Sequence, residues 1–229
     1  MKQNLMLNYK VFYSARRSIG INVSPDRGVT VRAPYGTSMR TIERIVESKS
    51  DWIRKHLEKN KNIKRLNGNS SLHDGSIIFY RGKEYTLRLK KASDNKIVVT
   101  DAVIELSTLY PEDANIIRNI IRKWYISEAS EHFSVRLKEL LDKYQGYRFS
   151  PTALVIKTMK RRWGSCSSQG RITLNSELIK LDDIFTEYVI LHELCHLYHP
   201  NHGKEFYRLL GEVYPGWKTV RKELGKYLS

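Results

Sequence analysis

The sequence predicts an α+β protein, with a basic, β-rich α+β N-terminal portion over residues 1–110 and a helix-dominated C-terminal portion over 111–229, the two able to close into one compact unit. Three observations predict it. Short alternating β-rich runs recur before residue 110, a helical apolar pattern opens at Pro111, and the last fifty residues carry helical spacing broken by Pro200. A chain of 229 residues is long enough for one sizeable domain or two small ones with proper cores.

FYSARRSIGINVSP and GVTVRAP read as short strands with a turn at Asp26-Arg27-Gly28. After Pro34, SMRTIERIVESKSDWIRKHLEKN places Ile42, Ile45, Val46, Trp52, Ile53 and Leu57 near helical spacing, with Trp52 expected in the core. KNIKRLNGNSS is a polar, basic connector. GSIIFYRGKEYTLRLKK and KIVVTDAVIEL return to strands around a turn at Ser93-Asp94-Asn95. Pro111-Glu112-Asp113 then opens a long helix whose apolar face runs from Ile116 and Ile117 through Leu141. PTALVIKTM reads as a strand, and RRWGSC and RITLN as two strands joined by Ser167-Ser168-Gln169-Gly170. LDDIFTEYVILHELCHLYH is a helix capped by Asp182 and ended by Pro200, with Asp183 in its acid-favouring first turn and an apolar stripe of Ile184, Phe185, Tyr188 and Val189. Two further helices are expected, one after Asn201 or His202 and one from Trp217 towards Tyr227.

Composition excludes several classes. Hydrophobic residues at 41% and charged residues at 28% are an ordinary globular balance, so disorder is not expected. No stretch approaches the roughly 18–20 apolar residues of a membrane span, and the first residues have no signal-peptide core, so a cytoplasmic protein is expected. Cys166 and Cys195 are far apart and form no CxxC pair, which fits reduced thiols. The net charge is +16, of which residues 1–110 carry 21 Lys+Arg against 10 Asp+Glu, or +11. That excess suits an anionic partner such as nucleic acid or nucleotide, but the basic residues are dispersed and form no long run, which favours a merely solvated basic surface.

Four of the seven histidines fall within residues 192–202. His192 and His196, four apart on one helix, lie about 40° from each other around the axis and can grip one ion. Neutral imidazole suits Zn²⁺, with Mn²⁺, Co²⁺ or Ni²⁺ as alternatives. Glu193 leans towards the open metal position in an HExxH arrangement, where a carboxylate takes a proton from metal-bound water. A helix face cannot close a tetrahedral site, so a third ligand is needed. His202, just past Pro200, is favoured over His199, which stands about 10 Å along the axis from His192; Glu205 or Glu212 is a further option. Cys195 points away from the shared histidine direction and reads as a small buried residue.

With these residues in hand, the chain resembles the YgjP-like metallopeptidase-domain family, a bacterial zincin-type family, over nearly its whole length. The resemblance rests on RRSIGINVSPDRGVTVRAP with KSDWIRKHL, on KTMKRRWGSCSSQGRITLNSELI and on YVILHELCHLYHPNHGKEFY. It implies a zincin-like catalytic domain over 111–229, with His192, His196 and His202 as zinc ligands and Glu193 as catalytic base. Phe206-Tyr207 departs from the Phe-Trp pair common in the family. A more distant similarity is to the SprT-like and WLM proteases that act near DNA. Members of the family are also described as UTP pyrophosphatases.

Three functions follow as expectations: a metallopeptidase acting on peptide or protein, a metal-dependent nucleoside triphosphate pyrophosphatase, and a nucleic-acid-associated protease or binding module. For a peptidase, an edge strand of the RRWGSC/RITLN hairpin would pair with an extended peptide, and Tyr198, Tyr214 or Arg162 would stabilise the oxyanion. For a phosphohydrolase, Lys160, Arg161 and Arg162 would contact phosphates and Trp163 would stack on a base or else pack in the core. No GxxxxGK[ST] loop is present, so nucleotide chemistry would depend on the metal.

Overall fold

A computed structural model describes residues 7–24, 28–61 and 72–227. The chain divides into two compact units, Met1–Lys64 with Ser229, and Arg65–Leu228. The expected connector lies outside the described residues from Asn62 to Ser71, as do Asp26 and Arg27 of the expected turn. Three small mixed sheets and six α-helices make up the described residues, the α+β composition expected.

The first unit holds β1 (Tyr9–Ser14), β2 (Gly20–Ser24), β3 (Gly28–Pro34), α1 (Met39–Ser48) and α2 (Ser50–Lys61). Strand β3 is central, parallel to β1 and antiparallel to β2. The single helix expected here is two, because the first ends at Lys49. Ile42, Val46 and Ile53 pack against Val29, Val31 and Ala33 to form the core of this unit. Trp52, expected in that core, is instead 43% exposed, its ring 4.1 Å from that of His56 and tilted 33° to it. Ile53 takes the inward position, and the break at Lys49 turns its neighbour outward.

The second unit contains β4 (Ile77–Tyr80), β5 (Lys83–Lys91), β6 (Lys96–Val99) and β7 (Val103–Thr108) in the order β4-β5-β7-β6, then α3 (Ala114–Lys143). Asp113 caps α3 by accepting from the amides of Asn115 and Ile116. The buried stripe Ile117, Ile121, Tyr125, Ala129, Phe133, Leu137 and Leu140 follows a helical repeat and shares one core with Ile78, Leu87, Ile104 and Leu106 of the sheet. Residues 75–108 thus share one core with the C-terminal helices, within the unit Arg65–Leu228.

The β4–β5 turn also ties this sheet to the C-terminal half. Arg81 and Gly82 both have positive φ, and a Cβ at Gly82 would stand 3.1 Å from the Asp182 backbone. The amides of Arg81 and Gly82 donate to the carbonyls of Ile179 and Lys180, and Arg81 pairs with Asp183 at 3.2 Å.

The remaining elements are β8 (Ala153–Lys157), β9 (Gly164–Cys166), β10 (Arg171–Asn175), a 3-10 segment Ser176–Lys180, α4 (Asp183–Cys195), α5 (Lys204–Val213) and α6 (Trp217–Leu224). Strand β10 lies between β8, to which it is parallel, and β9, to which it is antiparallel. Asp182 caps α4 as expected, accepting from the Ile184 amide. The stripe expected on α4 underestimates its burial. Phe185, Thr186, Tyr188–Leu191 and Glu193–Cys195 are all buried, and of the four stripe residues Ile184 is 48% exposed. A helix apolar on nearly every side is one packed on every side; α3, α5, α6, β9 and β10 all contact it. No described helix is long and apolar enough to cross a membrane.

Candidate metal centre

Helix α4 ends at Cys195, earlier than the stop expected from Pro200. Its last turn tightens, with the Leu197 amide donating to Leu194 and the Tyr198 and His199 amides to Cys195. His192 and Glu193 thus occupy the final turn, and His196 is the C-cap residue. The chain then reverses through Pro200 so that His202, two residues before α5, returns to the helix end.

One ring nitrogen from each of His192, His196 and His202 lies within 4.8 Å of the others. The Nε2 atoms of His192 and His202 are 3.0 Å apart, close to the separation of about 3.3 Å that two nitrogens have on a tetrahedral zinc ion. His196 Nδ1 donates to the His199 carbonyl at 2.9 Å, which fixes the tautomer and leaves Nε2 as a lone-pair donor. Burial, then the charges of His196 and His202, push His192 down to about 3, and burial also lowers His202. Both rings are therefore neutral near pH 7, the form that ligates metal.

Phe206 is fully buried beneath the cluster, its ring centroid 4.9, 4.5 and 4.7 Å from those of His192, His196 and His202. Behind His202, Tyr207 stacks on Trp217 at 4.9 Å, and Arg221 donates to the Tyr207 hydroxyl at 3.2 Å.

Glu193 is 4% exposed, and its Oε2 has no hydrogen-bond partner among the described residues. Burial pushes its carboxyl up to about 8, with the Arg162 charge pulling the other way. A buried carboxyl without a hydrogen-bond partner among the described residues, beside three converging imidazoles, is a donor set short of a cation. The residues fit a divalent metal ion.

Opposite the histidines stands β9. A Cβ at Gly164 would lie 2.5 Å from Glu193 Oε1 and 2.8 Å from Cγ, so only glycine admits the carboxylate in this position. Gly164→Ala must displace Glu193 by several tenths of an ångström. We expect turnover to fall about 100-fold, in line with what small misplacements cost, while zinc content by elemental analysis stays unchanged. Wild-type turnover in this variant would show that the close approach is dispensable.

A single buried side chain anchors the loop leading into β9. Asn175, with no exposed surface, donates to the carbonyls of Met159 and Arg162 at 2.8 and 3.0 Å and accepts from the amides of Met159 and Glu177. Truncation to alanine strands several buried groups. We expect Asn175→Ala to lower unfolding stability by about 3 kcal/mol in urea titrations; a loss under about 0.5 kcal/mol, the range of surface substitutions, would contradict this anchoring role.

The site occupies a cavity of about 530 Å³ lined by His192, Glu193, His196, His202, Arg162 and the Gly164–Ser168 segment with Gly170, Leu197 and Pro200. Of the expected substrate contacts, Arg162 is present there. Arg161 is exposed outside the lining, and Trp163 is 9% exposed within the core, away from any stacking role. Tyr198 spends its hydroxyl on the Tyr147 and Arg148 carbonyls, and Tyr214 points to the Ile184 carbonyl at 3.5 Å; neither lines the cavity. His199 contributes its carbonyl and is not among the three grouped rings, and neither Glu205 nor Glu212 joins them, each being paired to Arg208. Cys195 is fully buried and Cys166 lines the cavity; both thiols are free. Sequence reasoning missed Gly164, Phe206 and the Tyr207–Arg221 backing. A glycine in RWGSC and a phenylalanine four residues after His202 were the available signals.

A helix-borne histidine pair with a buried glutamate between them, closed by a third histidine beyond the helix, is a candidate metal centre. The chain matches the YgjP-like, metallopeptidase domain family over residues 17–227 and belongs to it. Two solved structures share a smaller part. The metallopeptidase zymogen abylysin of Pyrococcus abyssi is 26% identical with a TM-score of 0.36, the match covering 40% of this chain and 90% of that one. The metallopeptidase zymogen jannalysin of Methanocaldococcus jannaschii is 24% identical with a TM-score of 0.35, covering 40% and 92%. Comparison with curated proteins finds none that matches.

Proposed function

We propose that the chain is a metal-dependent peptidase in which His192, His196 and His202 hold a zinc-type ion and Glu193 is the general base. The observation that carries peptide over nucleotide is the edge strand. On its inner side, β9 bonds to β10 through Trp163 and Ser167: the Asn175 amide donates to the Trp163 carbonyl and the Ser167 amide to the Arg171 carbonyl. In an antiparallel pair bonding alternates along the strand, so Gly164 and Cys166 turn their backbone groups outward along the cavity rim. An extended peptide can add there as a further strand, with its scissile bond beside Glu193.

A bound ion of this class supplies Lewis acidity, lowering the pKa of water towards about 7 and polarising a carbonyl oxygen. Glu193 accepts a proton from the attacking water as the new C–O bond forms, and delivers it to the amine nitrogen as the C–N bond breaks. Arg162, the cation lining the cavity, balances negative charge building on the carbonyl oxygen. With Trp163 buried, the nucleotide reading keeps Arg162 but has no stacking platform. Free thiols at Cys166 and Cys195 suit a reducing, cytoplasmic compartment.

Zinc-loaded protein assayed side by side on an unfolded protein substrate and on a nucleoside triphosphate panel separates the readings. We expect new α-amino groups from the first and no pyrophosphate from the second. Pyrophosphate release without peptide cleavage would overturn the peptidase.

A further inference from the structure

The sheet of the first unit has one face packed by helices and another on which Lys10, Phe12, Asn22 and Arg32 are exposed around a buried Thr30. Register and alternation put Val29, Val31 and Ala33 with Val11, Ile21 and Val23 on the helix side. The other face then carries two cross-strand rows, Phe12–Arg32–Gly20 and Lys10–Thr30–Asn22. Gly20 has no side chain to offer, and the guanidinium of Arg16 covers it: an ideal Cβ there would stand 3.0 Å from Arg16 Nη2. The first row thus presents a phenyl ring and two guanidinium groups side by side.

Phe12 is 52% exposed in the body of a strand, where it adds little to the fold. Lys10, Arg16 and Arg32 form no ion pair among the described residues. The unit itself is strongly cationic: residues 1–64 carry 14 Lys+Arg against 5 Asp+Glu, a net of +9.

We propose that this sheet face binds single-stranded nucleic acid, a base stacking on Phe12 and phosphates lying against Lys10, Arg16 and Arg32. An exposed ring framed by cations with no ion pair among the described residues matches both halves of a nucleotide, the π-face and the phosphate. A duplex keeps its bases stacked inside and offers such a ring nothing, which is why the partner is single-stranded. This face uses none of the metal-centre residues.

The test uses the full chain and fluorescein-labelled oligo(U), oligo(dT) and a duplex of equal length, followed by anisotropy across a salt series. We expect a single strand to bind about tenfold more tightly than the duplex; the stronger of the two single strands assigns RNA or DNA. Phe12→Leu should weaken single-strand binding about tenfold with its salt dependence intact, and Phe12→Tyr should retain it. Arg32→Gln should lower the slope of log affinity against log salt by about one. Thermal melting and zinc content of all three variants should match wild type, since none of these side chains is in the core or the metal site. Equal binding by Phe12→Leu and wild type, a preference for duplex, or equal competition by poly-glutamate would each overturn the proposal.

Discussion

Glu193→Gln is expected to keep its metal and lose its turnover, with kcat on a peptide substrate down about 1,000-fold. General-base groups contribute about 10²–10⁴-fold in comparable settings, and the amide has no lone pair basic enough to take a proton from water. The substitution is isosteric in a position 4% exposed, wedged against Gly164, so the cavity keeps its shape. The histidines are untouched, and their nitrogens still converge. Steady-state kinetics alongside elemental analysis distinguishes the roles. Loss of zinc with loss of activity would make Glu193 a structural support, and unchanged kcat would remove it from the chemistry.

His202→Ala should release the ion where His199→Ala retains it. His202 Nε2 stands 3.0 Å from His192 Nε2, and its loss leaves two nitrogens on one helix end. We expect zinc affinity to fall by more than the roughly 10–100-fold that outer-shell losses cost. His199 contributes through its backbone carbonyl, to which His196 Nδ1 donates, so removal of its ring leaves the acceptor in place. Competition against a chromogenic chelator gives both affinities. A His199 variant that loses zinc while the His202 variant keeps it would reverse the assignment.

Much of this site is legible in the sequence because its logic is local. The His192/His196 pair follows from helix geometry, and a proline before His202 signals a chain that turns back. Strand and helix periods likewise mark most elements, from the Asp113 cap of α3 to the β9–β10 hairpin. What the sequence hides is non-local. The parallel pairings β1–β3, β5–β7 and β8–β10 join strands whose connection is written in no short pattern. Gly164 matters because Glu193, twenty-nine residues on, needs the space of its missing side chain. The burial of Trp163, for which the sequence leaves stacking and core packing both open, and the exposure of Trp52, expected in the core, have the same reason: burial of an aromatic depends on which element covers it. Tyr198 and Tyr214 sit near the histidines in sequence, but their hydroxyls are committed to backbone carbonyls elsewhere.

X-ray absorption at the zinc edge of the loaded full chain tests the three-histidine centre most directly. The account predicts a first shell of nitrogen and oxygen at about 2.0–2.1 Å with imidazole multiple scattering from three rings, reduced in His202→Ala. A sulfur scatterer at about 2.3 Å, placing the cavity thiol of Cys166 on the ion, or a shell without imidazole, would contradict it.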